Sequence, residues 1–522
     1  MPVLNWIGKD AVVNHDKKVP FRLLRKVEST SVGKDSQNLI IHGDNLEALK
    51  ALMPFYYGKI KCIYIDPPYN TGNESWVYND RVNSPKIKQW LGKVVGRESE
   101  DLTRHDKWLC MMYPRLKLLR DLLAEDGAIF VSIDDNEHCN LKQIMDEIFG
   151  EENFVSNIIW QKKYSPQNDA KYFSDMHDFI VVYAKHKNKG NEKTGWVRKL
   201  LPRTDEMNAR YTNRDNDPRG PWKSSDLSVK TYNKVTDYPI TTPSGRVVSP
   251  PYRSCWRVTK EKFEELVKDN RIWFGENGNS VPSIKRFLSE VRDGTVPVTL
   301  WFRDEVGDNE RAKKEINNLL KDTNLTFETP KPIELLKKIA RLATDQDSII
   351  LDSFAGSGTT GHAILDLNNE DGGNRKFILI ELEDNVAKDI TADRVKQSID
   401  KYSYKDGFEY CELDKPLFNE KGQIEDECSY NQFATYIYFT ETQTNIDPKK
   451  IKGNYVGELE DIEYYLIYKE KGKNALSKSF LKNLEKGGKK KVVYADRCLI
   501  DEDLLFEYNI VFKQIPYEVK VY

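Results

Sequence analysis

The chain has 522 residues, with 80 Lys/Arg against 82 Asp/Glu and a formal net charge of −2. That length suits two to four domains, and the near-neutral balance excludes a uniformly basic nucleic-acid binder. Its seven cysteines are odd in number and never stand in a CxxC pair, which excludes a disulfide framework and a cysteine zinc site, so no metal is expected.

Asn38–Ile41 reads as a short strand before the turn Gly43-Asp44, and Leu46–Met53 as a helix. Ile60–Ile65 is a continuous apolar run of strand length, as in a buried parallel strand. It leads into Asp66-Pro67-Pro68-Tyr69-Asn70-Thr71-Gly72, where two prolines enforce a stiff loop. His105–Leu123 has helical spacing, Gly127–Ile133 reads as a second buried strand, and a helix follows near Asn136–Phe149. Such alternation implies βαβ units and a parallel sheet.

From Lys187 to Thr329 the pattern gives way to proline, glycine, asparagine and aromatics mixed with charge, as in an inserted module. Residues 196–234 hold nine Lys/Arg against five Asp/Glu, whereas residues 401–460 hold seven against twelve. A basic middle fits a DNA-facing segment. The α/β pattern then resumes with a helix at Pro332–Leu342 and a strand at Ser348–Leu351. The run Asp352-Ser353-Phe354-Ala355-Gly356-Ser357-Gly358-Thr359-Thr360 comes next, with a helix through Leu367. Lys376–Ile380 is a strand ending at Glu381, and a last helix runs to about Tyr402. Beyond it lies a domain-sized tail with strands expected at Thr435–Phe439, Tyr464–Tyr468 and Lys490–Ala495. The expected domains are 1–186 and 330–402, two halves of one α/β domain, with an insert at 187–329 and an assembly or DNA-contact domain at 403–522. No apolar run is long enough to span a bilayer and the N-terminus lacks the apolar core of a signal peptide, so no membrane partner and a cytoplasmic location are expected.

The Asp66 loop suits one demanding reaction, methylation of an aromatic amine. The amine's lone pair is delocalised into the ring, and positive charge grows on nitrogen as it attacks a sulfonium methyl. Acceptors aimed at its hydrogens stabilise that charge in the transition state. Asp66 supplies a carboxylate and Pro67 a backbone carbonyl, while Pro68 fixes the loop. Tyr69 offers a flat face for a base extruded from a duplex.

The second constellation, Phe354-Ala355-Gly356-Ser357-Gly358, is a strand, a Gly-x-Gly turn and a helix N-terminus, suited to a nucleotide-like ligand. A P-loop needs lysine after its second glycine, where Thr359 stands. A dinucleotide site stays open on glycines alone, since Gly361 follows Gly358 at the right spacing, and Glu381 stands where a ribose-binding acid belongs in either case. The Asp66 loop breaks the tie, because a dehydrogenase has no use for it.

With DPPYNTG before FAGSGTT and a large insert between, the chain resembles the β class of amino-group DNA methyltransferases. The segments at Ile41–Leu52 and Lys331–Leu336, and the tail segment 492–519, resemble the Mod subunits of type III restriction–modification systems. The resemblance implies a seven-stranded, mostly parallel, circularly permuted Rossmann-like sheet with an inserted target recognition domain. It implies that Asp66, Pro67, Pro68 and Tyr69 handle the target amine and base. Asp352, Phe354, Ala355, Gly356, Ser357, Gly358, Thr359, Glu381, Lys331 and Asp44 would hold S-adenosyl-L-methionine. Aspartate as the first residue of DPPY leans toward adenine N6 in duplex DNA. In the insert, Arg203, Arg210, Tyr211, Arg214, Arg219, Trp222 and Lys223 are the expected DNA-binding residues. A homodimer and a restriction endonuclease–helicase partner are also implied. The alternatives are a cytosine-N4 or RNA adenine methyltransferase, or a subunit serving mainly DNA recognition and assembly.

Overall fold

The computed structural model describes residues 3–34, 36–71, 85–95, 102–190, 194–292, 294–320, 327–418, 424–425, 428–469 and 474–515, without the side chains of 85–88 and 90. Gly72, Pro516, Tyr517, Glu518 and Val519 of the motifs above lie outside the described residues. The chain forms two compact units, one of residues up to 199 together with those from 298 onward, the other Leu200–Pro297.

The first unit is built on a ten-stranded sheet. Its strands are β1 (Arg22–Lys26), β2 (Leu39–His42), β3 (Ile60–Ile65), β4 (Leu123–Ile133), β5 (Phe154–Gln161), β6 (His177–Ala184), β7 (Leu300–Trp301), β8 (Ile349–Asp352), β9 (Lys376–Glu381) and β10 (Glu409–Pro416). They lie in the order β1-β10-β2-β9-β8-β3-β4-β6-β5-β7. From β10 through β4 every pairing is parallel, and β6 runs antiparallel to both its neighbours. The sheet is therefore mostly parallel, as expected, but carries ten strands rather than seven. β10 continues the parallel ladder beyond β2, β1 pairs antiparallel on its outer side, and the short β7 pairs with β5.

Strand residues such as Ile63, Ile65, Ile129, Val131, Leu351, Ile378 and Ile380 are fully buried, which explains their unbroken apolar runs. Helices α1 (Asn45–Tyr56), α2 (Arg104–Leu122), α3 (His138–Phe149), α4 (Ile333–Ala343), α5 (Thr359–Asp371) and α6 (Asp393–Tyr402) connect and flank these strands. α2 begins at a capping box in which Thr103 and Asp106 satisfy each other's backbone amides.

β3 and β8 are parallel neighbours, with Cys62 beside Ile350 and Ile63 beside Leu351. β3 connects onward to β4 on one side, and β8 connects through α5 to β9 on the other. The two motif loops thus leave the carboxyl ends of adjacent strands at the point where the winding reverses, the usual ligand crevice of such sheets.

Past β10 the chain forms helix α7 (Tyr430–Thr442) and the sheet β11 (Tyr455–Leu459), β12 (Ile462–Leu466), β13 (Lys490–Ala495), β14 (Ile510–Gln514), paired in that order. The strand expected at Thr435–Phe439 is instead the middle of α7. Ser429 and Gln432 form a capping box that starts the helix, and every residue from Phe433 to Phe439 is buried. Burial around the whole helix erases the helical period and leaves an apolar run that mimics a strand. Among the described residues no helix is long and apolar enough to cross a membrane.

The second unit is narrower than the expected insert of 187–329, because β7 and the helix Asn309–Leu319 belong to the first unit. Its three-stranded sheet orders Ile272–Trp273, Ser283–Phe287 and Trp222–Asp226, and Leu227, Ile240, Trp256 and Phe263 form its core.

Candidate active site

The prolines do what their chemistry dictates. They end β3 at Ile65 and hold the next four residues as a loop, with Pro68's carbonyl accepting from Trp108 Nε1 of α2 at 2.7 Å. Asn70 then adopts a left-handed backbone (φ 58°) and donates from its amide to Glu137, whose buried carboxylate also meets His105 Nδ1 at 2.7 Å. The loop is therefore braced from α2 and from the start of α3.

Asp66 is mostly buried, and one of its oxygens, Oδ2, receives Lys331 Nζ from the segment preceding α4. The other, Oδ1, is buried and has no hydrogen-bond partner among the described residues. Tyr69 donates from its hydroxyl to Asp178 Oδ2 at 3.4 Å. Burial, with the carboxylates of Asp178 and Asp66 nearby, raises the Tyr69 phenol well above its usual range, so it stays neutral. Lys331 Nζ lies 5.3 Å from the Tyr69 ring centre and 6.0 Å from that of Trp160. Asp178 in turn accepts from Lys162 Nζ at 2.6 Å.

At the end of β8, Asp352 braces the second loop from below. It accepts from the Phe354 amide at 3.1 Å and from Thr360 Oγ1 at 2.5 Å, and burial pushes its carboxyl up to about 7. Gly356 and Gly358 take left-handed conformations (φ 49° and 73°). A Cβ at Gly358 would lie 2.9 Å from the Thr391 carbonyl oxygen, so only glycine fits without a backbone shift. Ser357 and Thr359 are buried and turn to Arg394 of α6, whose Nη1 donates to them at 2.9 and 2.6 Å. Thr359 Oγ1 also donates to the Lys331 carbonyl at 3.1 Å. Ala355 is buried, while Phe354 and Gly356 stay half-exposed.

Glu381, at the end of β9, accepts from the amides of Gly356, Leu382 and Glu383 at 2.9, 2.9 and 3.1 Å. Burial pushes its carboxyl up to about 7. Asp44 caps α1 through the amides of Leu46 and Glu47 and pairs with Arg115 at 3.1 Å. Its neighbour Asn45 donates to the Ser353 carbonyl at 3.0 Å, which ties α1 to the second loop.

The structure thus joins both motifs through Lys331. It also supplies Arg394, Lys162, Asp178 and Trp108, which no motif announces, and gives Asn45 of the Ile41–Leu52 segment a role in bracing the second loop. Of the residues expected against the cofactor, Asp352, Ser357 and Thr359 have buried side chains bonded within the protein, and Ala355 is buried.

In the second unit the expected DNA-contacting residues divide. Trp222 is 1% exposed, Tyr211 is buried, and both are core residues rather than platforms for a base. Arg219 is taken up by the buried carboxylate of Asp217 and by the Asp269 and Asn270 carbonyls. Arg203 donates to Asn208 at 2.8 Å. Arg210, Arg214 and Lys223 are exposed.

A DNA methylase family profile matches residues 60–392, well over half the chain. The StyLTI Mod subunit of the type III restriction–modification enzyme of Salmonella typhimurium is 38% identical over 406 residues, covering 74% of this chain and 59% of that one. The EcoP15I Mod subunit of Escherichia coli is 30% identical over 497 residues, covering 84% and 75%. The solved cytosine-N4-specific PvuII DNA methyltransferase aligns at 13% identity and a TM-score of 0.35, covering 70% of this chain and 92% of that one. The chain spans about three fifths of the length of the StyLTI and EcoPI Mod subunits, at 59% and 64%. With both motif loops at adjacent strand ends and the profile reaching from β3 past β9, the chain belongs to the N6/N4 DNA methylase family.

Proposed function

We propose that the chain transfers a methyl group from S-adenosyl-L-methionine to the N6 amine of an adenine extruded from duplex DNA. We take it as the modification and recognition subunit of a restriction–modification system. The observation that carries this reading is the buried Oδ1 of Asp66, which has no hydrogen-bond partner among the described residues, together with a glycine loop whose shape tolerates no side chain at residue 358.

The residues around that loop fit the cofactor. A carboxylate has about four acceptor positions, and three on Glu381 are taken by amides, which leaves one for a ribose hydroxyl. Half-exposed Phe354 and Gly356 would line the nucleoside. When bound, the cofactor supplies an electrophilic methyl on a sulfonium centre. Asp66 Oδ1 and the Pro67 carbonyl accept the two amine hydrogens and stabilise the charge that grows on nitrogen. Lys331 holds Asp66 through its other oxygen, so Oδ1 keeps its aim. The neutral ring of Tyr69 stacks on the extruded base. After transfer the amine is acidic, and its proton leaves through Asp66.

The order of the two loops along the chain supports the permuted β class. Residues 200–297 are the target recognition module in this reading, and exposed Arg210, Arg214 and Lys223 are the cations it offers to phosphates. A second copy and a restriction endonuclease–helicase subunit are its partners.

Asp66→Ala tests the assignment. Single-turnover methylation of DNA should fall by at least about a hundredfold, the scale of losing one transition-state acceptor. Cofactor affinity by calorimetry should stay within about threefold. A variant that methylates at the wild-type rate contradicts the proposal.

A further inference from the structure

β5 and β6 form an antiparallel hairpin whose ladder closes at Gln161 and His177. The connection, residues 162–176, is rooted in the site. Lys162 Nζ bridges Asp175 and Asp178, both at 2.6 Å, and its amide donates to the Met176 carbonyl at 3.0 Å. Those contacts pin the two ends of the connection together, next to the Tyr69 hydroxyl that Asp178 accepts.

The exposed part of this connection has an unusual surface. Tyr172 is 83% exposed and Phe173 95% exposed, side by side. Tyr164, also exposed, lies with its ring 4.1 Å from the Arg303 guanidinium, and Lys163 and Lys171 add cationic charge. Single exposed apolar residues need no explanation, but consecutive exposed aromatics, with the Lys171 ammonium 5.4 Å from the Tyr172 ring centre, on a loop rooted at the candidate site do.

We infer that residues 162–176 form a wedge that enters the duplex, with Tyr172 and Phe173 filling the space in the base stack left by the extruded base. This rests on the methyltransferase reading above. Extruding a base costs unstacking and unpairing energy, and an aromatic or apolar side chain inserted between bases recovers stacking. The flanking cations suit the phosphates on either side of the gap. Because Lys162 and Asp178 fix the loop's ends against Tyr69, the wedge is coupled to the residue that stacks on the base.

The test uses the full chain and the DNA site that the wild-type protein is found to methylate. One duplex is intact, and a second carries an abasic residue opposite the target base, so that the base is already unpaired. The double variant Tyr172→Ala/Phe173→Ala should lose at least tenfold in single-turnover rate on the intact duplex. It should stay within about twofold of wild type on the abasic duplex, with unchanged cofactor affinity. Wild-type rates on the intact duplex overturn the inference, as does an equal loss on both substrates, which a merely structural role would give. A wild-type chain that methylates no duplex overturns the methyltransferase reading itself, and the wedge falls with it.

Discussion

Lys331 stands where the two motifs meet, with its ammonium on Asp66 and its carbonyl holding Thr359. Removing one partner of a buried ion pair strands the other charge, at a cost of about 3–5 kcal/mol. Lys331→Met should therefore destabilise the site and cut single-turnover methylation by roughly ten- to a hundredfold, and Lys331→Arg should restore part of the rate. An unchanged rate in the methionine variant means the pair is idle. Glu381 offers a pH-dependent check. Burial holds its carboxyl near 7, so it ionises as pH rises from 6 to 8. An ionised carboxylate is the better acceptor for a ribose hydroxyl, so cofactor affinity should tighten over that interval. Calorimetric titrations of Glu381→Gln should show weaker binding and a shallower profile, the remainder belonging to Asp352, whose carboxyl is likewise pushed up to about 7 by burial. At this scale the sequence was legible where chemistry is contiguous. Asp66 and Tyr69 stand out in a tetrapeptide, and Gly356 and Gly358 in a turn. The partner of Asp66 lies 265 residues away, and no local pattern reveals such a pair. Arg394 and Asp178 were invisible for the same reason. Tyr211 and Trp222 misled because aromatics among cations read alike whether they face solvent or build a small core.

The elements carry the site by placing two loops at neighbouring strand ends. The second loop depends on backbone geometry that only glycine adopts at low cost. Gly358→Asp puts a side chain in a left-handed conformation, at about 1–2 kcal/mol, and a Cβ against the Thr391 carbonyl. We expect calorimetric cofactor binding to vanish while circular dichroism still reports the α/β fold. Normal affinity contradicts the placement of the cofactor on this loop. Element positions in the α/β half were readable because buried parallel strands and amphipathic helices leave different periods. β3 falls on the expected Ile60–Ile65, and α4 and α5 begin within a few residues of the expected starts. α7 was not readable as a helix, since its buried residues run without a gap from Phe433 to Phe439.

At the scale of the whole molecule, the mostly parallel sheet followed from alternating elements, but its width did not. β1, β7 and β10 join through pairings to strands far away in sequence, and such edges leave no local signature. The boundaries of the inserted unit were blurred because β7 is only the two residues Leu300–Trp301 and the charge-rich helix Asn309–Leu319 follows it without a motif. The proposed function makes one chemical claim, that a methyl group moves from a sulfonium to the amine of an extruded adenine. The most direct measurement incubates the protein with S-adenosyl-L-methionine labelled in its methyl group and mixed-sequence duplex DNA, digests the DNA to nucleosides and identifies the labelled one. Label in N6-methyldeoxyadenosine, absent with Asp66→Ala, is the predicted result. Label in N4-methyldeoxycytidine, or none in any nucleoside, would contradict it.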